Sequence, residues 1–299
     1  MGTAERDEAA WLIERALAED LPRGDITVAA LFGGPAGGSP LARMRFVARE
    51  SGVLCGAPVV ELLYQRIDPS VGLERLQEDG GRLDPGTAFL EVTGPASSVL
   101  QGERIALNAL GRLSGIASVT ARWVSELEGT SCVLLDTRKT TPAWRYLEKY
   151  AVRCGGGTNH RLHLSDDFLV KDNHASVLRA AGDTAVADWV RRLRSHAPQA
   201  FLEIEVDSRE QFLEARRAQV DAILLDNFSL EDLRRVVEEN RREAGSPVLL
   251  EASGGIRLEN ARAVALTGVD RISTGALTHS PGALDVGLDD VDREGYPGP

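Results

Sequence analysis

Short apolar runs that end in a charged or polar residue recur along the second half of the chain. Each run has the length and composition of a buried strand, and each is followed by a stretch with helical spacing. A strand, loop and helix that repeat in this way predict parallel strands joined by helical crossovers. The runs, in chain order, are VLLD, FLVKD, LEIEVD, AILLD, VLLE and DRIST, which end at Asp136, Asp172, Asp207, Asp226, Glu251 and Thr274.

Six such units predict an incomplete α/β barrel over residues 116–281, with its active site at the carboxyl ends of the strands. The alternative is an open, doubly wound sheet. That fold is disfavoured because no GxGxxG motif follows the first strand.

The first part of the chain has a different pattern. Helical spacing covers residues 7–19 and 57–67, and glycine- and proline-containing turns between 73 and 92 predict antiparallel strands. The segment GGPAGGSP, residues 33–40, is predicted to be a loop. We expect a mixed α and β domain over residues 1–115, which the tail 282–299 joins through a strand near residues 283–288.

Composition limits the partners. The formal charge is −11 and the sequence pI about 5.1, which disfavours nucleic acid and anionic membranes as partners. Three cysteines, scattered along the sequence, predict neither a disulfide scaffold nor a thiolate metal site. With no signal-peptide pattern and no membrane-length apolar run, the sequence predicts a soluble, cytoplasmic protein.

Within this acidic chain, cationic side chains cluster after the first two predicted barrel strands, which indicates a small anionic ligand. Any one of them alone is more often a solvated loop charge. Some neighbours also have structural interpretations: Gly155–Gly157 as a plain turn, and Asp136 and Asp172 as acceptors for loop amides. His160 has two other possible roles: it could hydrogen-bond a backbone carbonyl, or bind a metal together with His163 and His174. The cations are Arg138, Lys139, His160, Arg161 and Lys171.

Three sub-sites are predicted at the strand ends. Backbone N–H groups in the small-residue turns after the last two strands suit a phosphate. Carboxylates on the middle strands suit sugar hydroxyls and a hydrated Mg²⁺, and the cations suit carboxylates of a second substrate. The turns contain Ser253, Gly254, Gly255, Ser273, Thr274 and Gly275, and the carboxylates are Glu205, Asp226 and Glu251.

Long strings of the chain resemble the quinolinate phosphoribosyltransferase family. The resemblance implies an N-terminal α/β sandwich and an incomplete α/β barrel in a homodimer whose sites share residues of both subunits. It also implies that quinolinate and phosphoribosyl pyrophosphate (PRPP) react, with Mg²⁺, to nicotinate mononucleotide, pyrophosphate and CO2. The strings are AEDLPRGDIT, GERIALNALGRLSGIAS, LLDTRKTTP, EKYAVRCGGGTNHR, LVKDNH, FLEIEVDS, LLDN, LLEASGGI and ISTGALTHS.

Residue roles follow from this resemblance, position by position. The quinolinate binders are implied to be Arg138, His160, Arg161 and Lys171, with Thr137 beside them and Arg104 contributed by the second subunit. The residues implied to bind PRPP are Lys139, Lys171, Glu205 and Asp226, together with the turns Ser253–Gly255 and Ser273–Gly275. Glu205 and Asp226 are also implied to lie near Mg²⁺.

Three other functions stay open at this point. His163, Ser165 and Asp167 depart from the family pattern, which favours another heteroaromatic acid as the alternative substrate. A lysine at a barrel strand end, Lys139 or Lys171, is also typical of Schiff-base aldolases. A non-catalytic, anion-binding accessory protein is the remaining alternative.

Overall fold

A computed structural model describes residues 1–33, 38–242 and 247–291. Helices and strands are numbered in chain order. The chain divides into two compact units: unit 1 comprises residues 1–121, 140–156 and 277–299, and unit 2 comprises residues 122–139 and 157–276. Part of the predicted loop, residues 34–37, lies outside the described residues.

Unit 1 is built on an antiparallel sheet whose strand order is β12-β1-β5-β3. The predicted antiparallel strands are confirmed, and the strand from the tail pairs with β1, with Phe46 opposite Leu288. The strands are β1 (Leu41–Ala48), β3 (Gly72–Arg75), β5 (Ala88–Pro95) and β12 (Val286–Asp290), beside a small pair of β2 (Gly52–Val53) and β4 (Arg82–Leu83).

Helices bury the apolar side chains of this unit. Phe46 and Phe89, on adjacent strands, are fully buried with ring centroids 6.4 Å apart, and Tyr64 from α3 donates a hydrogen bond to the Val99 carbonyl at 2.9 Å. The helices are α1 (Thr3–Asp20), α2 (Ile26–Phe32), α3 (Ala57–Ile67), α4 (Ala96–Glu126), α5 (Arg145–Cys154) and α11 (Ala276–His279).

The helix α4 runs without a break through residues 114 and 115, where the sequence predicts a domain boundary. That boundary stays a prediction. The segment 140–156, which includes α5, follows the first barrel strand in sequence but clusters with unit 1. None of the helices that the structure describes is long and apolar enough to cross a membrane.

Unit 2 is a six-stranded parallel sheet with the order β6-β11-β10-β9-β8-β7. The last strand pairs with the first, while β6 and β7 do not pair, so the sheet has a circular order with one gap. The predicted incomplete α/β barrel is confirmed. Its strands are β6 (Val133–Leu135), β7 (Phe168–Val170), β8 (Leu202–Val206), β9 (Ala222–Asp226), β10 (Leu249–Ser253) and β11 (Arg271–Ser273).

Helices follow the strands of unit 2, and Phe212 and Val236 from them are fully buried together with Ile223 and Leu225 of the sheet. The open edge of β6 is covered by Thr158, whose N–H donates to the Leu134 carbonyl at 2.9 Å. The helices are α6 (Asp172–Ala180), α7 (Val186–His196), α8 (Arg209–Arg217), α9 (Leu230–Arg242) and α10 (Leu258–Ala265).

Gly155 lets α5 approach α4 closely. A Cβ atom at Gly155 would lie 2.3 Å from the carbonyl oxygen of Ala117. The backbone angles of Gly155, φ −79° and ψ 1°, are open to any residue, so the requirement for glycine is steric alone. At this position the triple glycine is therefore a packing feature of unit 1.

We expect Gly155→Ala to destabilise the protein by about 1–3 kcal/mol, because backbone of α4 or α5 has to shift. Urea unfolding followed by circular dichroism measures the change as a lower midpoint. The matched control is Gly282→Ala, where a Cβ would meet nothing within 4 Å. Equal midpoints for the two variants would contradict this packing role.

Candidate active site

The carboxyl ends of the parallel strands collect every predicted site residue except Arg104. Ser253 lies opposite Asp226 in the β9–β10 ladder, and Ser273 lies opposite Leu135 in the β6–β11 ladder. The first and last strands of the barrel therefore end side by side. The residues collected there are Thr137, Arg138, Lys139, His160, Arg161, Lys171, Glu205, Asp226, Ser253, Gly254, Gly255, Ser273, Thr274 and Gly275.

Asp136 anchors the loop that carries His160. Its carboxylate is fully buried and accepts the His160 N–H at 2.9 Å and the Asn159 side-chain amide at 2.7 Å. The structural interpretation of Asp136 is thereby confirmed. The carboxylate of Asp172 instead accepts the N–H of Asn173 at 2.7 Å, in the first turn of α6, so it does not bond a loop amide there.

His160 faces two carboxylates inside the barrel. Its Nε2 atom lies 3.2 Å from Glu203 Oε2 and 3.5 Å from Glu251 Oε1. Its Nδ1 atom accepts the Arg161 N–H at 2.8 Å, which leaves Nε2 to carry a proton toward the carboxylates. Glu203 and Glu251 are at most 1% exposed. The ring is thus held between a loop amide and two buried anions.

The two carboxylates favour a positive charge on His160. Burial alone would lower the pKa of the imidazole, but hydrogen bonding to Glu203 and Glu251 and their negative charge raise it to about 9. Burial also raises the pKa of the Glu203 carboxyl, and the charge of Glu251 adds to that effect. The carboxylates therefore favour the imidazolium, which forms when a proton on Nδ1 replaces the hydrogen bond from the Arg161 N–H.

Two arginines approach each other beside this histidine. Burial lowers the pKa of Arg161, and the nearby charge of Arg138 lowers it further. Arg161 donates to the Asp167 carbonyl at 2.8 Å, and the Nε atom of Arg138 is buried with no hydrogen-bond partner among the described residues. Repelling guanidinium groups with spare donors are suited to a carboxylate ligand, which would relieve the repulsion.

A lysine and two carboxylates form the other side of the strand ends. Lys171 Nζ lies 2.6 Å from Glu205 Oε2. The pKa of Asp226 is raised, first by burial and then by the charge of Glu205. Two neighbouring carboxylates that repel each other are the oxygen donors that Mg²⁺ prefers, so these residues fit the ion.

Gly254 is required by the close approach of two turns. Its φ is +78°, and a Cβ there would lie 2.4 Å from Asn227 Oδ1 and 2.6 Å from Asp226 Oδ1. Asn227, itself at φ +58°, donates its side-chain amide to Asp226 Oδ2 at 2.7 Å. The turns after β9 and β10 therefore fix the orientation of the Asp226 carboxylate. Phosphate binding by the small-residue turns stays a prediction.

Three sequence-based placements need correction. Glu251 is not a strand-end carboxylate for a sugar or metal, because it is fully buried in β10 and faces His160. His163 and His174 do not join His160 in any potential metal cluster of the described residues. His163 Nδ1 lies 3.2 Å from Asp166 Oδ1, while His174 Nδ1 accepts the Lys171 N–H at 2.9 Å.

Arg104 lies in unit 1, on α4, with its side chain exposed at a cleft of about 280 Å³ that Leu12, Asn108 and Trp144 also line. Glu203 is the residue that sequence reasoning missed. The available signal was the spacing of Glu203 and Glu205, which places both on one face of β8.

Comparison with known proteins identifies the family. Residues 116–289 match the family model described as the C-terminal domain of quinolinate phosphoribosyl transferase, and residues 25–114 match its N-terminal domain. The chain belongs to the quinolinate phosphoribosyltransferase family. It is 44% identical over 293 residues to the carboxylating nicotinate-nucleotide pyrophosphorylase of Mycobacterium leprae, covering 97% of this chain and 99% of that protein.

Other members of the family agree in sequence and in fold. A probable carboxylating nicotinate-nucleotide pyrophosphorylase of Bacillus subtilis is 37% identical, with 93% of this chain and 92% of that protein covered. The solved structure of the nicotinate-nucleotide pyrophosphorylase from Francisella tularensis superimposes with a TM-score of 0.87 at 35% identity, covering 95% of this chain and 96% of that one. The α/β fold with a barrel-like C-terminal half is thus that of the family.

We expect the His160 ring to titrate near pH 9 in the intact protein. Below that pH the ring carries a second proton and is positively charged. The charge stabilises the folded protein fully below about pH 6.5, and this contribution to stability is lost as the pH rises through about 9. Glu203→Gln should lower the pKa by about one unit or more, because a neutral amide replaces a buried anion. Proton NMR of the histidine ring measures both values.

The control for this titration is Glu210→Gln, on the exposed face of α8, which should leave the His160 curve unchanged. A His160 pKa near 6.5 in the wild-type protein would contradict the assignment of a charged ring.

Proposed function

We propose that this chain is a carboxylating quinolinate phosphoribosyltransferase of NAD biosynthesis. Quinolinate and PRPP give nicotinate mononucleotide, pyrophosphate and CO2. The observation that carries the proposal is the separation of charge at the barrel mouth. Cations next to β6 and β7 suit a dicarboxylate, and carboxylates on β8 and β9 suit the sugar of PRPP.

In this proposal His160, Arg138 and Arg161 bind the two carboxylates of quinolinate. The pKa of His160 is raised to about 9 by Glu203 and Glu251, so the ring can take a proton on Nδ1 and face the acid as a cation. The Arg138 Nε donor is buried and available, and two guanidinium groups can each bind a carboxylate bidentately. A monocarboxylate would leave part of this charge unpaired.

Lys139, Lys171, Glu205 and Asp226 hold PRPP in the same proposal. Lys171 moves its charge from Glu205 toward the pyrophosphate, which frees Glu205 to face the ribose. The turns Ser253–Gly255 and Ser273–Gly275, with Thr137 nearby, offer N–H groups and hydroxyls to the 5′-phosphate. When bound beside Glu205 and Asp226, Mg²⁺ supplies positive charge that neutralises the pyrophosphate leaving group.

The chemistry needs position and charge more than a strong base. Loss of pyrophosphate leaves positive charge on the sugar, and the carboxylates of Glu205 and Asp226 stabilise that charge. The cations hold the carboxylates of quinolinate and so position its ring. The pyridine nitrogen then attacks the anomeric carbon of the ribose. When the carboxylate next to the nitrogen leaves as CO2, its electron pair stays on that ring carbon, where the alkylated nitrogen stabilises it. A proton from water then adds to this carbon and gives nicotinate mononucleotide.

We further propose a homodimer in the cytoplasm. Arg104 is exposed on α4 in unit 1, whereas the other proposed ligands of quinolinate belong to unit 2. An Arg104 supplied by a second copy of the chain would complete the carboxylate site.

We expect Arg138→Ala to lower kcat/KM for quinolinate by a factor of about 30 to 1,000, equivalent to about 2–4 kcal/mol, because a buried charge contact is lost. The measurement is steady-state formation of nicotinate mononucleotide. The matched control is Arg191→Ala, an exposed arginine paired only with Asp188 among the contacts described, which should keep wild-type kinetics. Equal kcat/KM in Arg138→Ala and wild type would contradict the assignment.

We expect Asp226→Asn to raise the Mg²⁺ concentration needed for half-maximal turnover, because one anionic oxygen ligand is lost. A Mg²⁺ titration at saturating quinolinate and PRPP measures the shift. Asp232→Asn, in the half-exposed first turn of α9, serves as the control and should leave the curve in place. An unshifted curve for Asp226→Asn would remove Asp226 from the proposed metal site.

A further inference from the structure

A second group of reactive side chains lies within unit 1. The sulfur atoms of Cys55 and Cys154 and a carboxylate oxygen of Asp79 all lie within 4.8 Å of one another. The Cys55 thiol donates a hydrogen bond to Cys154. Cysteines that are scattered along the sequence are therefore neighbours in the fold, and neither has a role in the proposed reaction.

The backbone on both sides of this pair is held in place. Cys55 donates its N–H to Ser114 Oγ at 2.9 Å, and Ser114 donates back to the Cys55 carbonyl at 3.0 Å. Cys154 is the last residue of α5, and the Gly155 that follows packs against α4. Rotation of the two side chains is thus the movement that would bring the sulfur atoms to the bonding distance of ~2.05 Å.

Asp79 is already occupied as a helix cap, which disfavours a metal at this cluster. Its Oδ2 accepts the Gly56 N–H at 2.9 Å and the Tyr150 hydroxyl at 2.8 Å, and its Oδ1 accepts the Ala57 N–H at 3.1 Å. These bonds hold the start of α3. Two thiols alone provide fewer ligands than the four of a structural zinc site.

The two thiols differ in reactivity. Hydrogen bonding from Cys55 lowers the pKa of Cys154, against the effect of burial, and the positive charge of Arg153 adds to the lowering. Cys154 is also partly exposed. Cys55 is completely buried, and burial raises the pKa of its thiol. Cys154 is therefore the nucleophilic, accessible member, and Cys55 is a buried thiol whose sulfur lies within 4.8 Å of it.

We propose that Cys154 and Cys55 form an oxidation site that reduces a hydroperoxide and closes to an intramolecular disulfide. The Cys154 thiolate attacks a peroxide oxygen, the O–O bond breaks, and the departing oxygen leaves as water after taking a proton. Cys154 becomes a sulfenic acid. The Cys55 sulfur then attacks the Cys154 sulfur, and the hydroxyl group leaves as water with the Cys55 proton.

Overall, two thiols lose two electrons and two protons, and one molecule of hydrogen peroxide becomes two molecules of water. The bond would join the start of α3 to the end of α5, from which the chain continues to His160 and Arg161.

Hydrogen peroxide treatment of the full-length protein, followed by mass spectrometry, tests the proposal without any activity assay. We expect a loss of about 2 Da per chain and a fall from three free thiols to one, both reversed by dithiothreitol. After trypsin digestion, the peptide of residues 50–66 should be linked to that of residues 154–161. The Cys132 peptide should stay free, and Cys132→Ser should behave as wild type.

A sulfenic acid trap separates the roles of the two cysteines. In Cys55→Ser, a dimedone adduct should accumulate on Cys154, because the resolving thiol is missing. Cys154→Ser should give no adduct on Cys55. Three results would each overturn the proposal. The first is recovery of both wild-type peptides with free thiols after peroxide treatment. The others are a disulfide between two chains, and one equivalent of bound zinc with thiols that do not react.

Discussion

The pairing of β6 with β11 is the constraint on which the rest of the site depends. Parallel strands place their carboxyl ends at one edge, but only the contact between the last strand and the first brings the two ends of the series together. That contact sets the turn Ser273–Gly275 beside the cation-bearing segment after Leu135. The gap between β6 and β7 is covered by Thr158, and the short stretch that follows carries His160 and Arg161 to the same edge.

Charge compensation inside the barrel explains how an acidic protein offers a cationic pocket. Burying an unpaired carboxylate costs several kcal/mol, and unit 2 buries both Glu203 and Glu251. The Nε2 atom of His160, which faces both carboxylates, offsets part of that cost, and the positive charge of Arg271 lowers the pKa of Glu203. The same buried carboxylates that require a cation therefore raise the pKa of the ring that faces them.

Much of this architecture could be predicted from sequence, because each strand is an apolar run that ends in a polar group. The helix over residues 57–67 was located to the residue, since its apolar spacing is bounded by Gly56 and Asp68. Glu203 could not be assigned from the sequence, because a charged residue next to an apolar run usually marks the solvent-facing end of the strand and not its buried interior. Glu251 was misplaced for the same reason. The Cys55 and Cys154 contact has no sequence signal, because it depends on how α3 and α5 pack within unit 1.

In the proposed reaction, one site joins ribosyl transfer to decarboxylation. The most direct measurement uses quinolinate labelled with ¹³C in the carboxylate next to the ring nitrogen, and follows labelled CO2 and pyrophosphate together. We expect one CO2 for each pyrophosphate, and none of either when PRPP is left out. Pyrophosphate release without labelled CO2, or CO2 release without PRPP, would contradict it.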